Sequence, residues 1–172
     1  MKICVLSDSH GEIENLRRVA DSIRGKVDLV IHLGDTYSDA DELRGFNLIR
    51  VPGVYDDEYR NPMIKNRIVK NFGKLKVLIT HTKESHVNDQ PYDLKPEDLI
   101  EKKKVDAVFY GHTHIYNIEI KDGILFLNPG HLKKEDKKGL PPTYAIIEIG
   151  SRIKAAILGL NGEKKIEKEF EF

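Results

Sequence analysis

The sequence has a single cysteine, no net charge and no long hydrophobic run, and each absence excludes a class of protein. One cysteine, Cys4, rules out an internal disulfide framework and is typical of a protein from the reducing cytoplasm. Basic and acidic side chains number 28 each, so no overall charge attracts nucleic acid or an anionic membrane. No apolar run approaches the length of a transmembrane helix. The chain enters a predicted strand at once, so no signal peptide is expected.

The length of 172 residues predicts one domain, residues 1–172, with a full hydrophobic core. Hydrophobic residues make up 40% of the chain and charged residues 33%, the balance of an ordinary globular protein with a charged surface. Cys4 lies within the apolar run 3–6, where a free cysteine is expected to be a small core residue.

The first third of the chain predicts three strands separated by helices. Strands are expected at residues 2–6, 27–33 and 46–51, because these apolar runs barely alternate, as in strands buried on both faces. Apolar residues at helical spacing predict a helix from Ile13 to Ile23, and a short helix is expected over 39–43. A βαβαβ arrangement follows.

The rest of the chain favours mostly antiparallel strands with one further helix. Strands are predicted at 64–72, 75–80, 105–110, 115–120, 124–128, 144–149, 153–158 and 166–170. A helix is predicted at 95–104, with Pro96 in its first turn. Loops are expected at 54–63, 84–92 and 132–142. The expected fold is α/β: a four-layer α/β/β/α sandwich of two mixed β-sheets flanked by helices.

Polar residues with metal-binding chemistry stand at the ends of the predicted strands. Gly111-His112-Thr113-His114 follows the strand at 105–110, and Gly111 permits a tight turn there. Alternate side chains in a flat strand point to opposite faces, so two histidines spaced in this way cannot easily bind one metal there. At a bend, each histidine could instead bind one of two neighbouring ions. The complete set of strand-end candidates is Asp8, His10, Asp35, His81, His112 and His114.

Four imidazoles and two carboxylates exceed what a single tetrahedral zinc ion needs. They suit two divalent ions about 3.5–4 Å apart that share a bridging carboxylate. Mixed nitrogen and oxygen donors favour Mn²⁺, Fe, Co²⁺, Ni²⁺ or Zn²⁺ over Ca²⁺ or Mg²⁺, and Mn²⁺ is the expected ion. Such a pair of ions turns a water into hydroxide and holds the oxygens of a phosphate ester.

The order of these motifs resembles that of the calcineurin-like metallophosphoesterases, in particular the small YfcE-type phosphodiesterases of bacteria and archaea. Asp8-Ser9-His10 matches the family motif D-x-H, Gly34-Asp35 matches G-D, and residues 111–114 match G-H-T-H. Asn128-Pro129-Gly130 and Pro141-Pro142-Thr143-Tyr144 match segments further on. Each motif is weak alone, but the ordered set covers nearly the whole chain.

The resemblance implies a metal-dependent hydrolase that acts on phosphate esters, on diesters in preference to monoesters. Metal-activated hydroxide would attack phosphorus directly, so no serine or cysteine nucleophile is required. The family pattern places Asp8, His10, Asp35 and His114 around the first ion. It makes Asp35 the bridge to a second ion, which His81 and His112 help to hold. Asp35, His81 and His112 are the expected catalytic residues.

The sequence departs from the family pattern at the second ion. After the third strand the family has G-N-x-D, and its Asn binds the second ion, but this chain has Gly53-Val54-Tyr55-Asp56. A valine side chain donates nothing to a metal. Either Asp56 or Asp57 therefore reaches in from a shifted loop, or the second site lacks one ligand. Asp56 is included among the candidate metal ligands for this reason.

Four further polar residues lie outside the set of candidate ligands. The family's H-G-H is altered at its third position to Lys83, which could contact a phosphate oxygen or lie in solvent. His131 stands where serine is common after N-P-G. His32, inside the second strand, is expected to be a hydrogen-bonded core histidine, and His86, in a polar loop, a surface residue.

Two alternative functions are open. Val54 motivates a binding or scaffold protein that keeps the fold with an incomplete second metal site. A nuclease is less favoured, because there is no basic surplus and no extra domain to hold a strand. The expected partner is a small phosphodiester or phosphate ester, without membrane or nucleic acid, and a homo-oligomer is left open. The mixed charges of 133–138 are expected to be solvated.

Overall fold

The computed structural model describes residues 1–171, and its centre is two mixed β-sheets packed face to face. In chain order the strands are β1 (Lys2–Leu6), β2 (Leu29–His32), β3 (Leu48–Arg50), β4 (Arg67–Phe72), β5 (Leu75–Thr80), β6 (Ala107–Phe109), β7 (Asn117–Lys121), β8 (Ile124–Asn128), β9 (Thr143–Ile149), β10 (Ile153–Gly159) and β11 (Lys164–Phe170). The first sheet has the order β11-β10-β9-β1-β2-β3, and the second has the order β4-β5-β6-β8-β7.

The helices are short and lie outside the sheets. They are α1 (Ile13–Ile23), α2 (Pro96–Glu101) and two 3₁₀ helices, Tyr37–Leu43 and Asp57–Arg60. Among residues 1–171, none of these helices has the length and apolar content needed to cross a membrane.

Successive side chains of β1 point to opposite faces of the first sheet, so they contribute to two separate hydrophobic clusters. Ile3 and Val5 belong to the cluster between the two sheets, whereas Cys4 and Leu6 pack on the opposite face. That opposite face is covered by α1 through Leu16, Val19, Ala20 and Ile23. Burial raises the pKa of the Cys4 thiol, so the group stays protonated, and its expected place in the core is confirmed.

The second sheet is covered on its outer face by α2. Leu99 and Ile100 of that helix pack against Val108 of β6, Leu78 of β5 and Phe126 of β8. The layers are therefore α1, the six-stranded sheet, the five-stranded sheet and α2. The predicted four-layer sandwich of two mixed sheets is confirmed.

Parallel strands in each sheet bring several chain turns to one edge. In the first sheet β1 pairs in parallel with β2, and β2 with β3. In the second sheet β5 pairs in parallel with β6, and β6 with β8. The loops at the carboxyl ends of parallel strands are where α/β sheets bind ligands.

Several predicted elements are longer than the observed ones. The predicted helix 95–104 ends at Glu101, because Lys103 takes a left-handed φ of 47° and the Lys104 N–H donates to the Leu99 carbonyl at 2.8 Å. The strand predicted from Phe46 begins at Leu48, since the Phe46 N–H closes a turn onto a carbonyl of the preceding 3₁₀ helix.

Candidate metal centre

The six strand-end side chains lie together at one rim of the two sheets. Asp8 and Asp35 stand two and three residues beyond the ends of β1 and β2, and His81 directly follows β5. His112 stands three residues beyond the end of β6. Their ligand atoms form two groups, each within 4.8 Å: Asp8, His10, Asp35 and His114, and Asp35, His81 and His112. The structure thus brings together all six residues that the strand-end pattern selected.

The carboxylate of Asp35 stands between the two groups. Its Oδ2 lies 3.3 Å from His10 Nε2, and its Oδ1 lies 3.3 Å from His81 Nε2. One carboxylate oxygen therefore faces each group, which is the arrangement a bridging ligand requires.

The nitrogens within each group have the spacing of ligands around an ion. His10 Nε2 and His114 Nε2 are 3.1 Å apart, and His81 Nε2 and His112 Nδ1 are 3.2 Å apart. With metal–ligand bonds of about 2.0–2.2 Å, neighbouring donor atoms lie about 3 Å apart. The donor set of four imidazoles and two carboxylates fits divalent transition metals.

A buried oxygen of Asp8 lacks a hydrogen-bond partner. Asp8 is fully buried, and its Oδ2 accepts the backbone N–H of His112 at 3.0 Å. Its Oδ1 lies 3.2 Å from His114 Nε2, but no hydrogen bond satisfies it. An unpaired buried carboxylate oxygen is costly, and a cation held by Asp8 and His114 would remove that cost.

Two histidines are held in the tautomer that leaves a nitrogen free for a metal. His81 Nδ1 lies 2.8 Å from the Leu33 carbonyl and donates to it, since a carbonyl only accepts. His114 Nδ1 lies 2.6 Å from Asp136 Oδ1 and donates to that carboxylate. In each ring the lone pair is then on Nε2, the atom directed into the group, as is usual for metal-binding histidines.

Backbone strain is concentrated at the rim. Five of the six candidate ligands have a left-handed conformation with φ between 48° and 67°, and His81 is the exception. Among residues 1–171, only three other non-glycine residues have positive φ, and one of them, Thr36, is the neighbour of Asp35. Such conformations cost about 1–3 kcal/mol each and cluster at functional sites.

The carboxyl groups and histidines shift one another's pKa values. Burial raises the pKa of Asp35 to about 6, although the nearby His81 opposes this. Burial also works to raise the pKa of Asp8, but His114 and His81 outweigh it and hold that pKa below its ordinary value. Contact with Asp8 raises the pKa of His114, and Asp136 adds to the effect. Protons therefore compete with metal for Asp35 and His114 in mildly acid solution.

Asp56 has a different role from the predicted one. Its carboxylate accepts three backbone N–H groups, from Thr36 at 3.0 Å, Tyr37 at 3.1 Å and Gly53 at 2.7 Å. These bonds use both oxygens, and Asp56 belongs to neither candidate group. Asp56 thus fixes the turn after Asp35 rather than facing an ion.

Asp57, the other aspartate considered as a substitute ligand, does not belong to the second candidate group either. Val54 is buried, whereas Asp57 is exposed at the start of its 3₁₀ helix. Among the described residues, the second group therefore has only the three protein donors Asp35, His81 and His112.

Asp136 was not identified from the sequence. It lies in the charged segment 133–138 that was expected to be solvated, yet its side chain is only 4% exposed against His114. Contact with His114 lowers its pKa to about 2, so it is ionised at neutral pH. Nothing in the sequence separates this carboxylate from the charged residues around it.

The structure also shows where three other polar residues lie, namely His32, Lys83 and His131. His32 is fully buried, accepts the Gly34 N–H and contacts Ser9 Oγ at 3.1 Å, as expected of a core histidine. Lys83 is partly exposed, and its Nζ stands 4.1 Å from the Phe126 ring centroid and 3.5 Å from Glu119 Oε1. His131 is buried with its ring 5.3 Å from that of His114.

A cavity of about 280 Å³ opens beside the first group. It is lined by His112, His114, Asp136 and three lysines, Lys133, Lys137 and Lys138. A cluster of lysines at the mouth of the centre gives a locally positive rim in a chain without net charge, and such a rim attracts anions.

The comparison with protein families identifies the fold family. The sequence model of the calcineurin-like phosphoesterase superfamily domain matches residues 1–152, most of the chain. The chain belongs to this superfamily. The resemblance stated from the strand-end motifs is thereby confirmed, and the metallophosphoesterase fold with it.

Small bacterial and archaeal proteins of this superfamily are similar over most of their length. Phosphodiesterase MJ0936 of Methanocaldococcus jannaschii is 29% identical over 147 residues, covering 76% of this chain and 83% of the relative. The probable metallophosphoesterase YsnB of Bacillus subtilis is 26% identical over 137 residues, 77% of this chain and 76% of the relative. A solved structure of a predicted phosphoesterase from Streptococcus pneumoniae has a TM-score of 0.73 at 29% identity, covering 99% and 97% of the two chains.

Proposed function

We propose that this metallophosphoesterase is a phosphodiesterase that works with two divalent metal ions. The observation that carries the proposal is the placement of the Asp35 carboxylate, with one oxygen 3.3 Å from His10 and the other 3.3 Å from His81. A carboxylate with histidines on each side has the geometry of a ligand shared by two ions.

Each protein group has a defined part in the proposed centre. Asp8, His10 and His114 would hold the first ion, and His81 and His112 would help to hold the second, with Asp35 common to both. When bound, the ions would lower the pKa of a water molecule that they coordinate and would place positive charge opposite the phosphate oxygens. The Leu33 carbonyl and Asp136 keep the rings of His81 and His114 in the required orientation.

The proposed substrate is a small phosphate ester, with diesters preferred. The lysines beside the first group favour an anionic ligand. The preference for diesters rests on the name of the archaeal relative, a phosphodiesterase 29% identical to this chain. Manganese as the ion, and the cytoplasm as the location suggested by the single cysteine, remain predictions.

The test is a comparison of two activated substrates. Purified protein is freed of metal, supplied with Mn²⁺ or Ni²⁺, and assayed with bis(p-nitrophenyl) phosphate and p-nitrophenyl phosphate. We expect metal-dependent hydrolysis with the diester favoured, and loss of hydrolysis in His112→Ala. Hydrolysis of neither ester above the His112→Ala background would contradict the proposal.

A second candidate function is a binding protein that retains the fold. Val54 favours it, because the second group has three protein donors and the buried valine side chain can add none. A protein of this kind would bind one ion, or bind the second only weakly, and would hydrolyse neither ester. Metal stoichiometry together with the ester assay separates the two functions.

A further inference from the structure

His86 stands beside the second group, although the sequence suggested a surface residue. Its ring is edge-on to that of His112, with centroids 6.1 Å apart and planes at 70°. On another side it meets Tyr55, with centroids 5.7 Å apart and planes at 85°. Tyr55 follows Val54 in the chain, so the His86 ring contacts the segment in which Val54 offers no polar side chain.

The segment around His86 is held firmly against the rest of the molecule. Asp89 accepts the His86 N–H at 2.9 Å, and it forms an ion pair at 2.9 Å with Arg67, whose side chain is 1% exposed. The Tyr59 hydroxyl also donates to Asp89, at 2.5 Å. Asn88 donates from Nδ2 to the Val54 carbonyl at 3.0 Å, which ties the segment directly to the loop of the second group.

The hydrogen bonds of His86 define what its ring can offer. The backbone N–H of Asn88 donates to His86 Nδ1 at 3.2 Å, so Nδ1 is an acceptor and carries no proton. A neutral imidazole has one N–H, which is then on Nε2, the ring edge turned away from the Asn88 backbone. His86 Nε2 is therefore a hydrogen-bond donor.

This tautomer argues against His86 as a replacement metal ligand. A histidine that binds a metal through Nε2 keeps its proton on Nδ1, as His81 does with the Leu33 carbonyl. The N–H of Asn88 occupies Nδ1 of His86 and prevents this. A donor nitrogen at the rim of a centre for phosphate esters is instead suited to a phosphate oxygen.

We infer that His86 binds the substrate by donating from Nε2 to a phosphoryl oxygen on the side of the second ion. The inference rests on the proposed function, since it needs a phosphate ester at the metal centre. It makes His86 a substrate-binding residue next to the loop in which the Val54 side chain offers no hydrogen-bond donor.

The experiment measures phosphate binding separately from metal binding. Mn²⁺ is titrated into metal-free protein by calorimetry, and inorganic phosphate is then titrated into the Mn²⁺-loaded protein. The variants are His86→Ala, which removes the donor, and His86→Gln, which keeps an N–H near the position of Nε2. Val87→Ala is the matched control, because Val87 is the next residue and is 91% exposed.

We expect Mn²⁺ stoichiometry and affinity to be the same in all four proteins. Phosphate is expected to bind about tenfold more weakly to His86→Ala, the usual effect of losing one hydrogen bond to a charged group. His86→Gln should recover most of the loss, and Val87→Ala should match the wild type. In the ester assay, KM is expected to rise in His86→Ala by the same factor as the phosphate Kd.

Three outcomes would overturn the inference. Wild-type phosphate affinity in His86→Ala, with hydrolysis intact, removes His86 from the site and leaves the proposed function standing. Loss of one Mn²⁺ per chain in His86→Ala makes the residue a metal ligand instead. Absence of Mn²⁺ binding and hydrolysis in the wild type refutes the proposed function itself, and the role of His86 falls with it.

Discussion

Replacing Gly53 by alanine tests the position of the Asp35 carboxylate. A Cβ at position 53 would lie 1.9 Å from Asp35 Oδ1 and 2.6 Å from the Asp35 backbone nitrogen. Ordinary contact begins at 3.4 Å, so the carboxylate oxygen must move by about 1.5 Å. Misplacement of a reacting or positioning group by about 1 Å can cost 10²-fold in rate. Because both proposed ions share Asp35, we expect Gly53→Ala to lose at least 10²-fold in diester hydrolysis.

The assay compares Gly53→Ala with Gly150→Ala. Neither glycine has a positive φ, and a Cβ at position 150 meets only the Arg152 carbonyl at 3.8 Å, so this control adds the same methyl group without a clash. Circular dichroism and thermal unfolding show whether each variant is folded. Calorimetry with Mn²⁺ should show weaker binding at both sites in Gly53→Ala alone. A folded Gly53→Ala protein with wild-type Mn²⁺ affinity and activity would refute the assignment of Asp35 as the shared ligand.

Three further predictions concern protons, the support of the centre and the fold. Because the pKa of Asp35 is raised to about 6 and that of His114 is also raised, Mn²⁺ affinity measured by calorimetry should weaken as the pH falls from 7.5 to 5.5; a constant affinity would contradict this. Asp136→Asn should weaken Mn²⁺ binding by about 10–100-fold while activity recovers at saturating Mn²⁺, and an unchanged Kd would show that Asp136 does not support His114. Asp89→Asn leaves the buried Arg67 guanidinium without its carboxylate, so the free energy of unfolding in urea should fall by about 3 kcal/mol, and a loss below about 1 kcal/mol would contradict the role of this ion pair.

The residues that could be predicted from the sequence are those fixed by strand ends. Asp8, Asp35 and His112 each follow a short buried strand, and parallel strands deliver their carboxyl ends to one edge whatever the loops do. The continuous apolar run 3–6 likewise predicted a strand buried on both faces, and Ile3 and Cys4 pack in different layers. The pattern of apolar residues and the order of the strand-end residues along the chain were sufficient to predict these features.

The residues that could not be predicted depend on how a loop returns to the rim. Asp56 stands at a suitable position in the chain, but the backbone there turns its carboxylate onto three N–H groups. Asp136 and His86 reach the centre from charged and polar segments that have no periodicity. Their positions are set by tertiary contacts, such as that of Asn88 with the Val54 carbonyl, which leave no local sequence pattern.

The number of ions and their proximity test the central claim most directly. Electron paramagnetic resonance of the metal-free protein titrated with Mn²⁺, together with the metal content by mass spectrometry, measures both. The shared Asp35 carboxylate predicts two Mn²⁺ per chain with the exchange-coupled signal of a neighbouring pair, and loss of that coupling in Asp35→Ala. One isolated Mn²⁺ per chain, or none, would contradict a two-metal centre built by these six side chains.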